Sequence, residues 1–168
     1  MVFNNNLLIY DTSTKGRGVI TMKRIKKGTF IMWYEGEFRH QSDKYLNKNK
    51  NKNIDKDNRY NYEAVNGYIS VNQPYHSSHY INDCLSNNNF EESKNGLNVI
   101  PILQRRLMQN NKYWPCYIAS RDIEVGEPLE TFYGSSYWGC HHPNLYNNKL
   151  LYQIEKYYLL KTIELGYI

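Results

Sequence analysis

Apolar and polar positions alternate in short blocks along most of this chain, and the blocks end at glycine, asparagine or proline. Period-two alternation bounded by turn residues is the pattern of half-buried strands. Leu7-Leu8-Ile9-Tyr10 reads as a first strand, with turn chemistry at Asp11-Thr12-Ser13-Thr14. Lys15-Gly16-Arg17-Gly18-Val19-Ile20 is a glycine-spaced loop entering a second strand. Arg24-Ile25-Lys26-Lys27-Gly28 turns into Phe30-Ile31-Met32-Trp33-Tyr34, which stops at Glu35-Gly36-Glu37. Asp122-Ile123-Glu124-Val125-Gly126 repeats the Arg24-to-Gly28 pattern, an isoleucine before a glycine turn and a new strand.

Asn66-Gly67 stands between Tyr62-Glu63-Ala64-Val65 and Tyr68-Ile69-Ser70-Val71, the strongest short-range hairpin signal. Leu97 to Leu103 reads as an edge strand, because Pro101 cannot donate to a central ladder. Asn87 to Gly96 reads as loop, and Tyr113 to Ser120 as a returning strand. Only the C-terminus changes period. Asn147 or Asn148 can cap a helix from Lys149 to Leu165, closed by Gly166, with Leu151, Ile154, Tyr158 and Leu165 near one face and Leu150 and Tyr157 widening it. The expected class is mainly β with minor α, one domain of 168 residues.

Composition changes this picture in one place. Lys44 to Arg59 is almost all Lys, Asn and Asp, with too little apolar surface to pack, so residues 41–59 read as a solvated insertion, with a short helix near Ser42 to Leu46. The net charge of +5 favours acidic partners, but much of it sits in that stretch. The basic residues are not interleaved with aromatics on one face, so a plain nucleic-acid-binding protein is not favoured. Three cysteines, Cys84, Cys116 and Cys140, are an odd, sparse set that suits a reducing compartment. Cys140-His141-His142 has no partner at zinc spacing, so no metal is expected. No apolar run reaches membrane-spanning length, and Met1 to Asn6 lacks a basic region and a cleavage site, so neither a membrane span nor a secretory signal is expected.

Four stretches carry candidate chemistry in a fixed order: Lys15-Gly16-Arg17-Gly18-Val19, Trp33-Tyr34-Glu35-Gly36-Glu37, His79-Tyr80-Ile81-Asn82-Asp83-Cys84, and Gly126-Glu127-Pro128-Leu129-Glu130-Thr131-Phe132-Tyr133-Gly134. Each alone is weak, and a lone Gly-x-Gly means little. Together they resemble the SET-domain family of protein lysine methyltransferases from about Leu7 to Trp138. Tyr133-Gly134-Ser135-Ser136-Tyr137-Trp138 is closer still to its PR subclass.

The resemblance implies a fold of small curled sheets in which the Asn82 and Tyr133 segments cross as a pseudoknot. It implies a SET domain over 1–138 and a helical segment over 139–168. It implies S-adenosylmethionine as donor and a lysine-containing protein tail, histone tails foremost, as acceptor. By position, Tyr133 and Tyr34 match the catalytic and lysine-channel tyrosines. Lys15, Gly16, Arg17, Gly18, Asn82 and Asp83 match the donor-binding segments. Trp138 is placed beside the adenine by proximity alone, and Trp33 reads as core.

Ile69, Ser70 and Val71 fall where the family binds its peptide, and an added strand is expected there. The C-terminal helix, with Tyr152, Tyr157 and Tyr158, is the candidate lid over the lysine channel. Asp83 departs from the usual histidine. The asparagine expected after the cysteine is Asn87, Asn88 or Asn98. Contact of the charge run with nucleosomal DNA and an intracellular, nuclear or host-nuclear setting complete the expectation, and small viral or bacterial SET proteins offer the nearest likeness in size. The alternative is an inactive PR-like module that binds a peptide or partner protein.

Overall fold

The computed structural model describes residues 6–40, 42, 62–71, 76–86, 88–109, 112–141 and 146–167. The insertion at 41–59 and the DNA contact assigned to it fall outside the described residues, except Ser42. So do Asn87 and residues 142–145, and the side chains of Cys140 and His141.

Among the described residues, ten strands form four small sheets. β1 (Leu7–Asp11) pairs antiparallel with β2 (Arg17–Thr21). β3 (Phe30–Trp33), β8 (Val99–Arg106) and β9 (Lys112–Ala119) form a three-stranded sheet in the order β3-β9-β8. β4 (Glu37–His40), β5 (Tyr62–Ala64) and β6 (Gly67–Ser70) form another in the order β4-β6-β5. β7 (Asn82–Asp83) and β10 (Glu130–Thr131) make a short parallel pair. The two matching turn segments meet each other: Ile25 and Ile123 exchange main-chain hydrogen bonds of 2.9 and 2.8 Å. Their likeness in sequence is thus a pairing in space.

The expected edge strand is at an edge, since β8 borders its sheet and its Pro101 needs no second partner. The central β9 nevertheless carries Pro115, whose carbonyl accepts from Tyr34 N at 2.9 Å. The Asn66 hairpin forms with its turn one residue earlier than expected. Val65 and Asn66 make the loop, Asn66 takes φ 63°, and Gly67 opens β6 opposite Ala64. A Cβ on Gly67 would lie against the carbonyl of Arg39, so the glycine is used for close packing between strands.

The expected added strand at Ile69, Ser70 and Val71 does not fit. β6 is the middle strand, hydrogen-bonded to β4 on one side and β5 on the other, and all three residues are buried. Both backbone edges of Ile69 are already paired, to Phe38 and Tyr62, and Ser70 is paired to Glu37 on β4, so a peptide cannot add at Ile69. The outer strands of this sheet are β4 and β5.

Residues 90–96 are helix rather than loop. α1 (Phe90–Gly96) is capped by the Asn89 side chain, which accepts from Glu91 N and Glu92 N, and those two acids sit in its first turn. The cap outweighed a composition that reads as loop. A second short helix, α2 (Ser135–His141), follows the Tyr133 segment and runs across the 138/139 boundary expected between the two parts of the chain. α3 (Asn148–Glu164) starts at the expected cap, Asn147 Oδ1 accepting from Leu150 N at 2.8 Å.

Val19, Ile31, Met32, Tyr34, Ile69, Ile81, Trp114, Tyr117 and Leu129 share one core between the sheets. A second core joins Cys84, Leu85, Leu97 and Phe132 to Leu150, Leu151 and Ile154 of α3. Each fully buried aliphatic side chain there contributes about 1.5–3 kcal/mol. α3 is thereby seated directly behind the Tyr133 segment. No helix among the described residues is long and apolar enough to cross a membrane.

Candidate active site

The β7–β10 pair brings the third and fourth motifs together. Asn82 lies opposite Glu130 and Asp83 opposite Thr131, and Cys84 N donates to Thr131 O at 2.7 Å. This is the crossing the resemblance implies. Tyr133 emerges two residues beyond it. Its main-chain N–H donates to Asp83 Oδ2 at 2.7 Å and its hydroxyl to Ile81 O at 2.8 Å. The ring stays 38% exposed, open on one side to solvent or substrate.

Tyr34 is buried beside His79, three residues ahead of β7. Its ring meets Tyr62 at 5.2 Å, His79 at 5.3 Å and Tyr117 at 6.3 Å between centroids. The turn that follows is fixed from several sides. Trp114 Nε1 donates to Tyr34 O at 2.6 Å, Ser78 Oγ accepts from Glu35 N at 3.2 Å, and His79 Nε2 donates to Glu35 O at 2.6 Å. Arg106 holds the Glu35 carboxylate with two nitrogens, at 2.8 and 3.3 Å, and lies over the rings of Trp33 and Trp114. Trp33 is thus part of the packing under the turn, as expected. Gly36 completes the motif because strand β6 passes against it: a Cβ would stand 2.8 Å from Ser70 O.

Tyr117 is the residue that sequence reasoning missed. It is buried on β9 among Tyr34, Tyr62, Tyr133 and Tyr158, and burial with those neighbouring hydroxyls pushes its own pKa well above the usual tyrosine value. Tyr34 thus touches the rings of Tyr62 and Tyr117, and Tyr133 and Tyr158 lie within electrostatic reach of Tyr117. Its inward place on a returning strand was the available signal, but 17 tyrosines in the chain mask it. His79 was also missed as a working residue. Burial lowers its pKa, so the ring is neutral and donates through Nε2 while Nδ1 accepts from His76 N at 3.3 Å.

The glycine loop approaches the same crossing from the other side. A Cβ on Gly18 would stand 2.9 Å from Tyr10 Cε1 and 3.1 Å from Asn82 Nδ2, so any larger residue would have to displace those side chains. Asn82 Nδ2 donates to Arg17 O at 3.1 Å. Arg17 lies over Tyr80 and donates to its hydroxyl at 3.2 Å. Lys15 Nζ reaches Asp83 O at 2.7 Å and Glu130 Oε1 at 2.8 Å. Gly16, at φ 71°, has nothing within 4 Å of where a Cβ would be, leaving its backbone face open.

Two placements correct the expectation. The Asp83 carboxylate is turned inward, accepting from Leu85 N at 2.8 Å on Oδ1 and from Tyr133 N and Trp138 Nε1 (3.0 Å) on Oδ2. Burial raises its pKa to about 6 against the pull of those N–H groups. Its carboxylate is thus engaged by three N–H groups of the protein itself. Of the three lid tyrosines, Tyr157 and Tyr158 pack against the second core, and Tyr158 reaches deepest, its hydroxyl donating to Pro101 O at 3.1 Å and its ring 6.2 Å from Phe132. Tyr152 is exposed, and Tyr157 lies beside Lys94 and Lys161. α3 buttresses the Tyr133 segment because its apolar face is spent on the second core.

Trp138 stands near-parallel to Tyr133, 13° between planes and 6.3 Å between centroids, with Tyr146 edge-on at 4.8 Å. Of the two described candidate asparagines, Asn98 is buried and Asn88 exposed. Asn98 Nδ2 donates to Pro128 O at 2.6 Å and its Oδ1 accepts from Glu130 N at 2.9 Å, which fixes the entry to the Tyr133 strand. Asn88 instead accepts from Asn147 N at the start of α3. Among the described residues no group of three or more His, Cys, Asp or Glu is placed to hold a metal ion.

The family model for the SET domain matches residues 16–134, which takes in the glycine loop, both tyrosines and the crossing. This chain belongs to the SET-domain family. SET domains are generally protein lysine methyltransferases that use S-adenosylmethionine. No curated protein sequence matches it. Among solved structures it is similar to a humanized mutant of the Chaetomium thermophilum Polycomb Repressive Complex 2 bound to the inhibitor GSK126, with a TM-score of 0.54 and 17% identity. The match covers 76% of this SET chain and 15% of that chain, and at such identity it shows the fold alone.

Proposed function

We propose that this SET domain transfers a methyl group from S-adenosylmethionine to lysine in a protein tail, histone tails being the substrate class. One observation carries the reading. Tyr133 is held at both its main chain and its hydroxyl by residues 81–83, within electrostatic reach of the buried Tyr117, whose ring meets that of the buried Tyr34. Such a place suits the reaction. The acceptor amine must be neutral, and desolvation among aromatic rings lowers an amine's pKa. Much of the remaining barrier is met by alignment of the reacting atoms.

The donor, when bound, supplies an electrophilic methyl on a sulfonium. The chain offers residues that fit it. The Gly16–Gly18 loop exposes backbone at Gly16 and packs tightly at Gly18, and Asn82 ties that loop to the Tyr133 crossing. Gly16, Arg17, Gly18 and Asn82 would hold the donor, with Trp138 as a wall for its adenine. Tyr34 and Tyr133 would orient the lysine. A nuclear or host-nuclear setting belongs to this reading.

The test is calorimetric donor binding, then methyl transfer to histones and a peptide panel, with Tyr133→Phe as control. The expected result is binding by both proteins and transfer lowered on the order of 100-fold in the variant, as for loss of one preorganised hydroxyl. Absence of donor binding would sink the enzyme reading in favour of a peptide-binding module. Transfer to other proteins but not to histones would overturn the substrate class alone.

A further inference from the structure

The reaction as proposed gives the Asp83 side chain no task, yet it is buried and every polar atom of its carboxylate is engaged. We propose that Asp83 is a positioning residue, a carboxylate clasp that fixes both Tyr133 and Trp138 on strand β7. Three N–H donors converge on it. Leu85 N reaches Oδ1, and Tyr133 N and the Trp138 indole N–H both reach Oδ2. Tyr133 also gives its hydroxyl to Ile81 O, so its two ends are pinned by acceptors two residues apart. Trp138 lies on the helix that follows Tyr133, with its ring near-parallel to the tyrosine. One carboxylate therefore sets the position of the tyrosine main chain and of the ring behind it.

The residue type matters. An ionised carboxylate accepts at about four lone-pair sites, whereas a neutral imidazole has one acceptor nitrogen and an asparagine one acceptor oxygen. Neither can take donors on both sides of the group. The surroundings bear on its charge. Lys15 brings an ammonium to the Asp83 carbonyl from the loop before β2, and Glu130 on β10 pairs with that ammonium. The Cys84 thiol and the Tyr146 hydroxyl are nearby, and burial first, then the Asp83 charge, raises the pKa of each. Burial holds the Asp83 carboxyl near pH 6, so protonation there removes acceptor capacity from one oxygen. The clasp is closed above that pH and loosened below it.

The catalytic consequence rests on the methyltransferase reading; the clasp itself does not. The experiment is a pH titration of the full chain by nitrogen-15 NMR, with the Trp138 indole assigned by its loss in Trp138→Phe. The Trp138 indole and the Tyr133 amide should titrate together, with a midpoint of about 6, and both titrations should vanish in Asp83→Asn. In methyl transfer, Asp83→Asn should lower kcat by on the order of 10- to 100-fold, leave the donor KM unchanged, and flatten the acid limb of the kcat profile. A wild-type indole and amide that do not titrate together would overturn the clasp, with no variant needed. A kcat profile that keeps its acid limb in Asp83→Asn would overturn its catalytic role. Co-titration in a chain that transfers no methyl would uphold the clasp and overturn the methyltransferase reading instead.

Discussion

Asp83→Asn should change how the stability of this protein depends on pH, and the sign can be worked out beforehand. The Asp83 carboxyl has a pKa of about 6 in the fold against an ordinary value of 3.8. The folded state therefore binds its proton more tightly than the unfolded state does. The stabilisation this gives is fully present below the ordinary value and is lost as pH rises through about 6. The full difference of about 2.2 units corresponds to roughly 3 kcal/mol, at about 1.36 kcal/mol per unit. Between pH 5 and 7.5, about 1 kcal/mol of it should disappear.

The wild-type curve alone would not show this, because His76 and His79 act in the opposite direction. Burial lowers both their pKa values below 6.5, so their contribution is lost as pH falls. Asparagine does not titrate, and the difference between wild type and Asp83→Asn cancels the histidines. Urea unfolding of both proteins at several pH values measures that difference. The wild type should lose ground to the variant as pH rises, by about 1 kcal/mol over the window, or roughly 2–4 °C in Tm for a chain of this size. A difference that stays flat, or that turns toward the wild type with rising pH, would refute a buried, reluctantly ionised carboxylate.

Two further substitutions test the site and its support. Gly18→Ala places a Cβ against Tyr10 and Asn82, so it should weaken donor binding by an order of magnitude or more while the fold persists; calorimetry and a thermal melt separate the two. Ile154→Ala opens a cavity in the core behind Phe132 and should cost about 2–5 kcal/mol in denaturant unfolding.

Local signals in the sequence were sufficient where one chain segment decides the outcome. The Asn147 cap, the Asn66 hairpin and the edge position of Pro101 each follow from the chemistry of one or two residues. The order of four motifs was enough to place Tyr34, Tyr133 and the glycine loop at one crossing. What could not be read depends on distant partners. The β6 strand looks like an outer strand until β4, from beyond the insertion, pairs with its second edge. Pro115 breaks the rule that Pro101 obeys, and nothing local tells the two apart. Tyr117 and His79 acquire meaning only from residues on other segments. Asp83 looked like an altered ligand contact because its three donors, at 85, 133 and 138, are not adjacent in sequence.

Those distant partners concentrate on one short stretch, Ser78 to Asp83. Ser78 and His79 hold the Glu35 peptide on both its N–H and its carbonyl, and so place Tyr34. Ile81 and Asp83 hold Tyr133 at its hydroxyl and its main chain. Asn82, between them, holds the carbonyl of Arg17 in the glycine loop. The separation between the two tyrosines and the loop is therefore set by six consecutive residues, not by three elements that must each dock correctly. A backbone of that length is stiff once it is hydrogen-bonded. His79 and Ile81 are buried, and Asn82 and Asp83 are paired with β10. Alignment of donor and acceptor to within about an ångström is what such a reaction needs. A reference stretch shared by all three groups meets that need at small cost, because an error in its position moves the groups together and leaves their mutual geometry intact.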